Sequence, residues 1–289
     1  MAMPVRIVMY APADSTARNA ARAAFERVTA LEATMSDYRL QSELRQVQDR
    51  AGQSVVISRE LYDVLQRAVD IASRTDGAFD PTAAPLIALW RKARRTGRLP
   101  ATSELNSARA LVSWKRITLD SAKCAVLLSP GTKLDLGAIA KGFIIEQAML
   151  VLKKQGIASA MIEAGGDIVV GSAPPGRSGW NVEVEGVPAE FAAHAAALTN
   201  AAIATSGPAS QSVSIDGVRY SHVVDPRTGL ALTNGLTAYV IAKDAATADA
   251  LATAASVLGN SNGLAHLFPE VLIAIRNQMS TAGGAAAGR

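Results

Sequence analysis

The sequence predicts an α+β fold: one compact unit with mixed sheets and a helical portion in its N-terminal half. The 289 residues are 49% hydrophobic and only 19% charged, which is enough apolar material for a packed core. Segments with helical spacing of apolar residues concentrate in the first half, and short strand-like runs concentrate in the second. Because no repeat or long linker divides the chain, we expect one domain at 1–279, with its helical portion at about 58–111, and a flexible Ala- and Gly-rich tail at 280–289.

The first half begins with a strand and continues with helices. The apolar run at 5–10 predicts the strand, and the turn after it leads to a long amphipathic helix. Ser58 and Glu60 mark the capped start of the next helix, and Pro81 marks the first turn of the one after. The elements predicted after the first strand are helices at 17–35, 58–74, 81–95 and 103–111 and strands at 114–119 and 125–128.

The second half is richer in strands. Helical spacing closed by Gly156 predicts a helix that leads into a hairpin, whose turn is Gly165-Gly166. The later segments alternate between short apolar strands and helical patterns. The predicted helices are 137–154, 245–258 and 262–267, and the predicted strands are 159–162, 168–171, 180–184, 196–199, 201–205, 236–241 and 271–275.

Composition and charge exclude several classes of protein. No apolar run approaches the roughly 18 residues that a membrane-spanning helix needs. A net charge of +4 falls short of a dedicated nucleic-acid binder but suits an anionic small-molecule ligand. The basic run at 91–95 is therefore interpreted as a solvated helix end rather than a nucleic-acid or membrane surface. The single cysteine, Cys124, cannot form an internal disulfide or a multi-thiolate metal site.

Four polar stretches interrupt apolar segments and are candidates for chemistry. In the first, residues 75–82, one helix ends at a glycine turn and another starts at Pro81, so Asp80 is placed to cap it. In the functional alternative, Ala78, Phe79 and exposed backbone form one wall of a ligand slot. The residues of this stretch leave both interpretations open.

The second stretch, residues 134–142, passes from a strand-like end into a helix with Lys141 in its first turn. The unpaired N–H groups and the dipole of a helix start attract anions, and a lysine adds a point charge for a phosphate. This stretch could therefore cradle a diphosphate, although a packing turn eased by its glycines is equally consistent with the residues.

The third stretch, residues 221–229, contains His222, the only one of the three histidines with polar neighbours. An imidazole is the natural proton acceptor near pH 7, and a hydroxyl that attacks phosphorus needs one. The alternative is a structural turn in which Asp225 caps local N–H groups and Arg227 pairs with it.

The fourth stretch, residues 248–254, places Asp249 and Thr253 four residues apart and hence on one helix face. A carboxylate and a hydroxyl are two hard oxygen ligands of the kind that Mg²⁺ prefers, and no His/Cys cluster competes for a transition metal. The alternative is that Asp249 caps the helix and the Thr253 hydroxyl bonds back to it.

In their order and spacing, the four stretches resemble the ApbE flavin transferase family, the FAD:protein FMN transferases. The resemblance runs from about residue 3 to residue 275 and implies an ApbE-like, T-fold-like unit. Further segments that carry it are 36–38, 42–44, 86–90, 163–167, Trp180 and 205–207. The sequence departs from the family pattern around the rim of the implied pocket, at 1–5, Ala138, Phe143 and 208–210.

The resemblance implies two sets of binding residues and a base. The FAD contacts would be Met3, Tyr38, Ala78, Phe79, Asp80, Asp135, Lys141 and Val224. The Mg²⁺ ligands would be the carbonyl of Ala138 and the side chains of Asp249 and Thr253. His222 is the candidate base for the incoming hydroxyl, and Asp249 is counted with it as catalytic.

The implied reaction is Mg²⁺-dependent transfer of FMN from FAD to a threonine or serine hydroxyl of an acceptor protein, with release of AMP. Two alternatives stay open: an FAD diphosphatase that uses water at the same site, and a flavin-binding protein without turnover. Members of the family are commonly exported lipoproteins, so we expect a periplasmic or membrane-anchored protein. The residues themselves contain no secretory signal, which fits either a cytoplasmic protein or a chain that starts after its targeting segment.

Overall fold

The computed structural model describes residues 3–207 and 212–277, which form the helices and strands of an α+β fold. In the first half the elements are β1 (Val5–Met9), α1 (Asp14–Met35), α2 (Glu43–Asp49), β2 (Ser54–Val56), α3 (Arg59–Arg74), α4 (Ala84–Thr96), α5 (Thr102–Arg109), β3 (Ile117–Asp120) and β4 (Ala125–Leu128). In the second half they are α6 (Ala140–Lys154), β5 (Ala160–Ala164), β6 (Asp167–Val170), α7 (Ala189–Ala195), β7 (Ala201–Ser206), β8 (Ser212–Ile215), β9 (Val218–Ser221), β10 (Leu236–Ala242), α8 (Ala245–Leu258), α9 (Asn262–Leu267) and β11 (Leu272–Asn277).

The main sheet has six strands in the order β1-β5-β6-β7-β10-β11, and every neighbouring pair is antiparallel. Successive side chains of a strand point to opposite faces. Val169 and its cross-strand partner Ala202 therefore face one core, while Ile168 and its partner Ile203 face the other. Both faces of the main sheet are covered as a result.

Helices α1, α6 and α8 cover one face of the main sheet, and α6 lies between the other two. Gly142 permits the contact between α6 and α8, because a Cβ added there would lie 2.0 Å from the carbonyl oxygen of Ala245. Any larger side chain would collide with backbone atoms, so only glycine fits at this point. The N-terminal turns of α6 and α8 are thus in direct contact.

The start of α8 is fixed by polar contacts. Asp244 is its N-cap and accepts a hydrogen bond from the backbone N–H of Thr247 at 2.8 Å. Arg67 of α3 donates to the same carboxylate at 3.2 Å. It also donates to both oxygens of Glu146 on α6, at 3.0 and 3.1 Å. Arg67 therefore ties three helices together one turn away from Asp249.

Three smaller layers complete the fold. Helix α7 lies on the second face of the main sheet, where Trp180 and Phe191 are buried. Helices α4 and α5 and the hairpin β8-β9 enclose a separate apolar cluster that contains Trp90 and Val224. The three-stranded sheet β2-β4-β3 lies against α2 and α3. In the part of the chain that the structure describes, we find no helix with the length and apolar character needed to cross a bilayer.

The α+β class and the single unit are confirmed, with antiparallel rather than mixed sheets. Two predicted strands are wrong. Residues 180–184 form an isolated bridge, from Trp180 to Leu198, and one further backbone hydrogen bond, from Val182 to Ala195, but no strand, and their apolar side chains pack on the main sheet. Residues 196–199 follow α7, a helix that the sequence pattern does not indicate. The short elements α2, β2, β8 and β9 are also absent from the prediction.

The predicted start of the third helix is also wrong. Helix α4 begins at Ala84, and the proline in its first turn is Pro85 rather than Pro81. Residues 80–83 instead form a turn in which Asp80 accepts the backbone N–H of Thr82, so this turn ends before the helix begins. The predicted tail at 280–289 and the family departure at 208–210 lie outside the described residues.

Candidate functional site

Lys141 lies between two buried carboxylates in the first turn of α6. Its Nζ atom donates a hydrogen bond to Asp249 Oδ1 on α8 at 2.8 Å and another to Asp167 Oδ2 at the start of β6. The backbone N–H of Gly142 donates to the second oxygen of Asp249 at 3.3 Å. Three elements remote in sequence therefore meet at Lys141, Asp167 and Asp249, which we call the lysine cluster.

The lysine cluster is shielded from solvent: the exposed fractions of its side chains are 1% for Asp167, 6% for Asp249 and 20% for Lys141. Burial and the charge of Asp249 raise the pKa of Asp167 to about 7, against the opposing effect of Lys141. Burial alone would lower the pKa of Lys141, but the two carboxylates outweigh it and raise that pKa, so the lysine stays protonated. When Asp167 is ionised, two carboxylates against one ammonium leave surplus negative charge, which a further cation would stabilise.

The three predicted metal ligands offer oxygen atoms of the kind that magnesium prefers. Gly142 is the third residue of α6, so its N–H has no acceptor within the helix, and it donates to Asp249 rather than to the preceding Ala138 carbonyl. Among the described residues no backbone N–H donates to that carbonyl, and the hydroxyl of Thr253 makes no hydrogen bond. Carbonyl, hydroxyl and carboxylate oxygens are the donor set of a hard cation.

The structural alternative for Asp249 and Thr253 is not what we observe. The residue that caps α8 is Asp244. Ser256 on the same helix bonds back to a carbonyl one turn earlier at 3.1 Å, whereas Thr253 makes no such bond to any described residue. Residues 3–207 and 212–277 contain no group of three His, Cys, Asp or Glu side chains that could hold a metal, so a metal would depend on carbonyl and hydroxyl ligands. Asp167 Oδ1, which is buried without a well-aligned donor in these ranges, adds a further acceptor nearby.

Asp135 lies in a second polar cluster. One of its oxygens accepts the N–H of Gly137 at 2.8 Å, and the other accepts from Arg91 at 3.0 Å. Arg91 also donates to Asp37 at 2.8 Å, and its guanidinium carbon lies 5.1 Å from the ring centroid of Tyr38. The interpretation of 91–95 as a solvated helix end is therefore wrong for Arg91, because its partners come from two distant loops.

The first stretch is a turn whose side chains face inward. Ala78 and Phe79 are buried in the main core. The carboxylate of Asp80 accepts hydrogen bonds from the N–H and hydroxyl of Thr82, at 2.8 and 2.6 Å, and from the N–H of Trp114 at 2.9 Å. Because the side chains of Ala78, Phe79 and Asp80 are buried, the predicted contacts of these residues with FAD would involve their backbone atoms.

The third stretch, residues 221–229, forms the structural turn that we gave as the alternative to a catalytic role, with Arg227 paired to Asp225. The guanidinium of Arg227 donates to both oxygens of Asp225 at 3.0 Å, and its backbone N–H donates to one of them at 2.9 Å. His222 precedes this turn and is half-buried, with its Nδ1 atom inside the protein. Val224 is buried in the cluster around Trp90. The catalytic role of His222 and the FAD contact of Val224 stay predictions.

Met3 lies against the hairpin turn that precedes Asp167. A Cβ added at Gly165 would lie 2.5 Å from the sulfur of Met3, so the methionine packs directly on the glycine. Gly165 and Gly166 both have positive φ, 57° and 93°, which lets the chain reverse between β5 and β6 within two residues. Met3 therefore lies beside the turn that leads into β6, whose first residue is Asp167 of the lysine cluster.

The structure brings together some predicted site residues and adds two. Lys141 and Asp249 are in contact, and Asp135 and Tyr38 are joined through Arg91. Asp167 could have been found, because an acid directly after a double glycine, at the start of an apolar strand, needs a buried partner. Arg91 carries no such signal, since its two partners are 54 and 44 residues away in sequence.

Comparison with known proteins points to one family. Residues 1–273 match the model of the ApbE family. The chain is 32% identical over 237 residues to the FAD:protein FMN transferase of Vibrio cholerae, an overlap that spans 80% of this chain and 71% of the relative. It is 32% identical over 273 residues to that of Treponema pallidum, spanning 86% of this chain and 75% of the relative.

Solved structures agree with these sequence relationships. The ApbE protein of Thermotoga maritima has a TM-score of 0.81 at 28% identity, over 96% of this chain and 94% of that one. The flavin transferase ApbE from Vibrio cholerae has a TM-score of 0.82 at 27% identity, over 96% and 93%. Both the sequence and the fold are thus similar to those of flavin transferases along nearly the whole chain.

Proposed function

The chain belongs to the ApbE family and is a transferase, and from this premise we propose that it is an FAD:protein FMN transferase. It transfers the FMN half of FAD to a threonine or serine hydroxyl of an acceptor protein and releases AMP. The observation that carries the proposal is the lysine cluster, a protonated lysine held by two buried carboxylates at the start of α6.

In this proposal the start of α6 binds the diphosphate of FAD. The helix has no side-chain cap at Ile139, so the positive end of its dipole is available to an anion, although the N–H groups of Ala140 and Gly142 already donate to Leu136 and Asp249. Lys141 adds a positive charge whose position is fixed by Asp167 and Asp249. Negative charge that develops on the diphosphate in the transition state therefore meets groups that are oriented before the reaction.

Mg²⁺ is the proposed metal, with the Ala138 carbonyl, Asp249 and Thr253 as its ligands. The Ala138 and Thr253 oxygens support this assignment because they have no donor among the described residues, and the Asp249 carboxylate shares the surplus charge of the lysine cluster. When bound, the ion would neutralise part of the charge of the diphosphate. Asp249 additionally orients Lys141, so one carboxylate serves both cations.

His222 is the proposed general base. The acceptor hydroxyl gives its proton to the imidazole as its oxygen bonds to the phosphorus of the FMN half, while the bond between that phosphorus and the bridging oxygen breaks and AMP leaves. A positioned base contributes roughly 10²–10⁴-fold to such a step. The Asp225–Arg227 pair supports this role by fixing the loop that follows His222.

Mass spectrometry combined with an AMP assay tests the proposal. The purified chain is incubated with FAD, Mg²⁺ and a coexpressed candidate acceptor protein. We expect the acceptor to gain the mass of one FMN on a threonine or serine, with one AMP released per transfer, and EDTA to stop both. AMP without a modified acceptor would indicate the diphosphatase, and bound FAD without AMP would indicate a flavin-binding protein.

We also propose that the protein is periplasmic or membrane-anchored and that its transferase domain spans residues 1–279.

A further inference from the structure

Helix α4 carries two adjacent side chains that reach different loops of the proposed site. Trp90 donates from Nε1 to the carbonyl of Gly229 at 2.9 Å, in the loop that follows His222. Arg91 contacts the loop after α1, at Asp37, and the segment before α6, at Asp135. One helix therefore fixes loops from three separate parts of the chain.

The guanidinium of Arg91 balances two carboxylates at once. It donates to Asp37 through Nη1 at 2.8 Å and to Asp135 through Nη2 at 3.0 Å. Its central carbon lies 5.1 Å from the ring centroid of Tyr38, within the range of a cation–π contact. The side chain of Asp135 is only 8% exposed, whereas Tyr38 is 76% exposed, so the tyrosine ring can receive an aromatic ligand on its open side.

We propose that Arg91 is a positioning residue for FAD, which holds Asp135 in the orientation that binds the cofactor and does not touch the reacting diphosphate itself. The inference rests on the proposed function, in which Asp135 and Tyr38 contact FAD. The contact with Tyr38 belongs to the same arrangement, because the guanidinium that holds Asp135 also lies against the tyrosine ring.

Loss of Arg91 would leave Asp37 and Asp135 without the guanidinium that joins them. Burial already raises the pKa of Asp135, Arg91 opposes that shift, and Asp37 adds to it. Asp135 would then move, take up a proton or repel the anionic cofactor. Lysine cannot replace the arginine fully, since one ammonium lacks the planar fork that reaches two carboxylates in fixed directions.

Calorimetric titration of the full chain with FAD tests the inference. Because a misplaced Asp135 would lose its charged hydrogen bond to FAD, we expect Arg91→Met to weaken FAD binding by about 10- to 100-fold. Arg91→Lys should weaken it several-fold. In the transfer reaction the KM for FAD should rise while kcat stays nearly unchanged. Lys92→Met is the matched control, because Lys92 is the next residue on α4 and pairs with the exposed Glu104 at 3.0 Å.

A double variant separates action through Asp135 from other effects. In an Asp135→Asn background, Arg91→Met should weaken FAD binding much less than it does in the unchanged protein, because the two residues act as a unit. Equal weakening in both backgrounds, or an Arg91→Met variant that binds FAD normally, would overturn the inference. If Arg91→Met does not fold, Arg91→Lys is compared in the same two backgrounds. Failure of the unchanged protein to bind FAD would instead overturn the proposed function, and the inference with it.

Discussion

Substitution of Gly142 by alanine tests whether the contact between α6 and α8 builds the site. The added Cβ would lie 2.0 Å from the carbonyl oxygen of Ala245, 2.4 Å from its carbonyl carbon and 2.8 Å from the nitrogen of Ala246. All three are backbone atoms, so no side-chain rotation relieves the clash. An ordinary contact needs about 3.4 Å, and the two helices must therefore separate by roughly 1.4 Å.

This separation would act on both stability and activity. Overpacking costs about 1–3 kcal/mol and the helix propensity of alanine gains about 1 kcal/mol, so the free energy of unfolding should fall by up to about 2 kcal/mol. Asp249 would move away from Lys141, which it contacts at 2.8 Å, and from the Gly142 N–H at 3.3 Å. Because a displacement of this size can cost roughly 100-fold in rate, FMN transfer should slow by about that factor in a protein that remains folded.

Urea unfolding and the rate of FMN transfer are measured for Gly142→Ala and for a control, Gly263→Ala. Gly263 lies in α9, and apart from its own helix no atom of the described residues lies within 4 Å of a Cβ added there, so the control should keep its activity and lose no stability. A Gly142→Ala variant with the unfolding free energy and transfer rate of the unchanged protein would refute the reasoning.

Three further substitutions test other contacts. Asp249→Ala should abolish transfer while circular dichroism shows a folded protein; full activity at physiological Mg²⁺ would contradict the metal assignment. Arg67→Met should lower the free energy of unfolding in urea by about 1–3 kcal/mol, because Glu146 loses both of its charged hydrogen bonds; Arg18→Met, which removes an exposed pair, should not. Asp167→Asn should remove a pH dependence of the melting temperature, measured in EDTA. The pKa of Asp167 is about 7 in the folded protein against an ordinary 3.8, so the folded state binds more protons between these values. The unchanged protein should therefore lose stability as pH rises from about 4 to 7, relative to the variant; parallel curves would contradict the shift.

Helix α8 shows how much the local sequence determines. The predicted range 245–258 matches the structure, because Asp244 caps its start and Gly259 takes a positive φ at its end. Within such a helix Asp249 and Thr253 share a face as a result of their spacing alone. The sequence therefore predicts the arrangement of this half of the proposed metal site without knowledge of the rest of the fold.

Contacts between distant segments could not be predicted in this way. Residues 180–184 alternate between apolar and polar types as a strand does, yet their apolar side chains pack on the main sheet and only Trp180 forms a bridge. Arg91 stands in a basic helix end, and its partners depend on where the chain places Asp37 and Asp135. Asp167 meets Lys141 because β6 lies beneath α6 in the main sheet. Each of these contacts follows from the topology rather than from local spacing.

The central claim is that Lys141 and Asp249 lie at one site for the diphosphate of FAD and a divalent ion. Crystals grown with FAD and Mn²⁺ test it most directly, because manganese substitutes for magnesium and gives an anomalous signal. We predict an anomalous peak bound by the Ala138 carbonyl, Asp249 and Thr253, with the diphosphate at the start of α6. A peak or a diphosphate bound elsewhere, with Asp249 still bonded to Lys141 and to the Gly142 N–H, would contradict the claim.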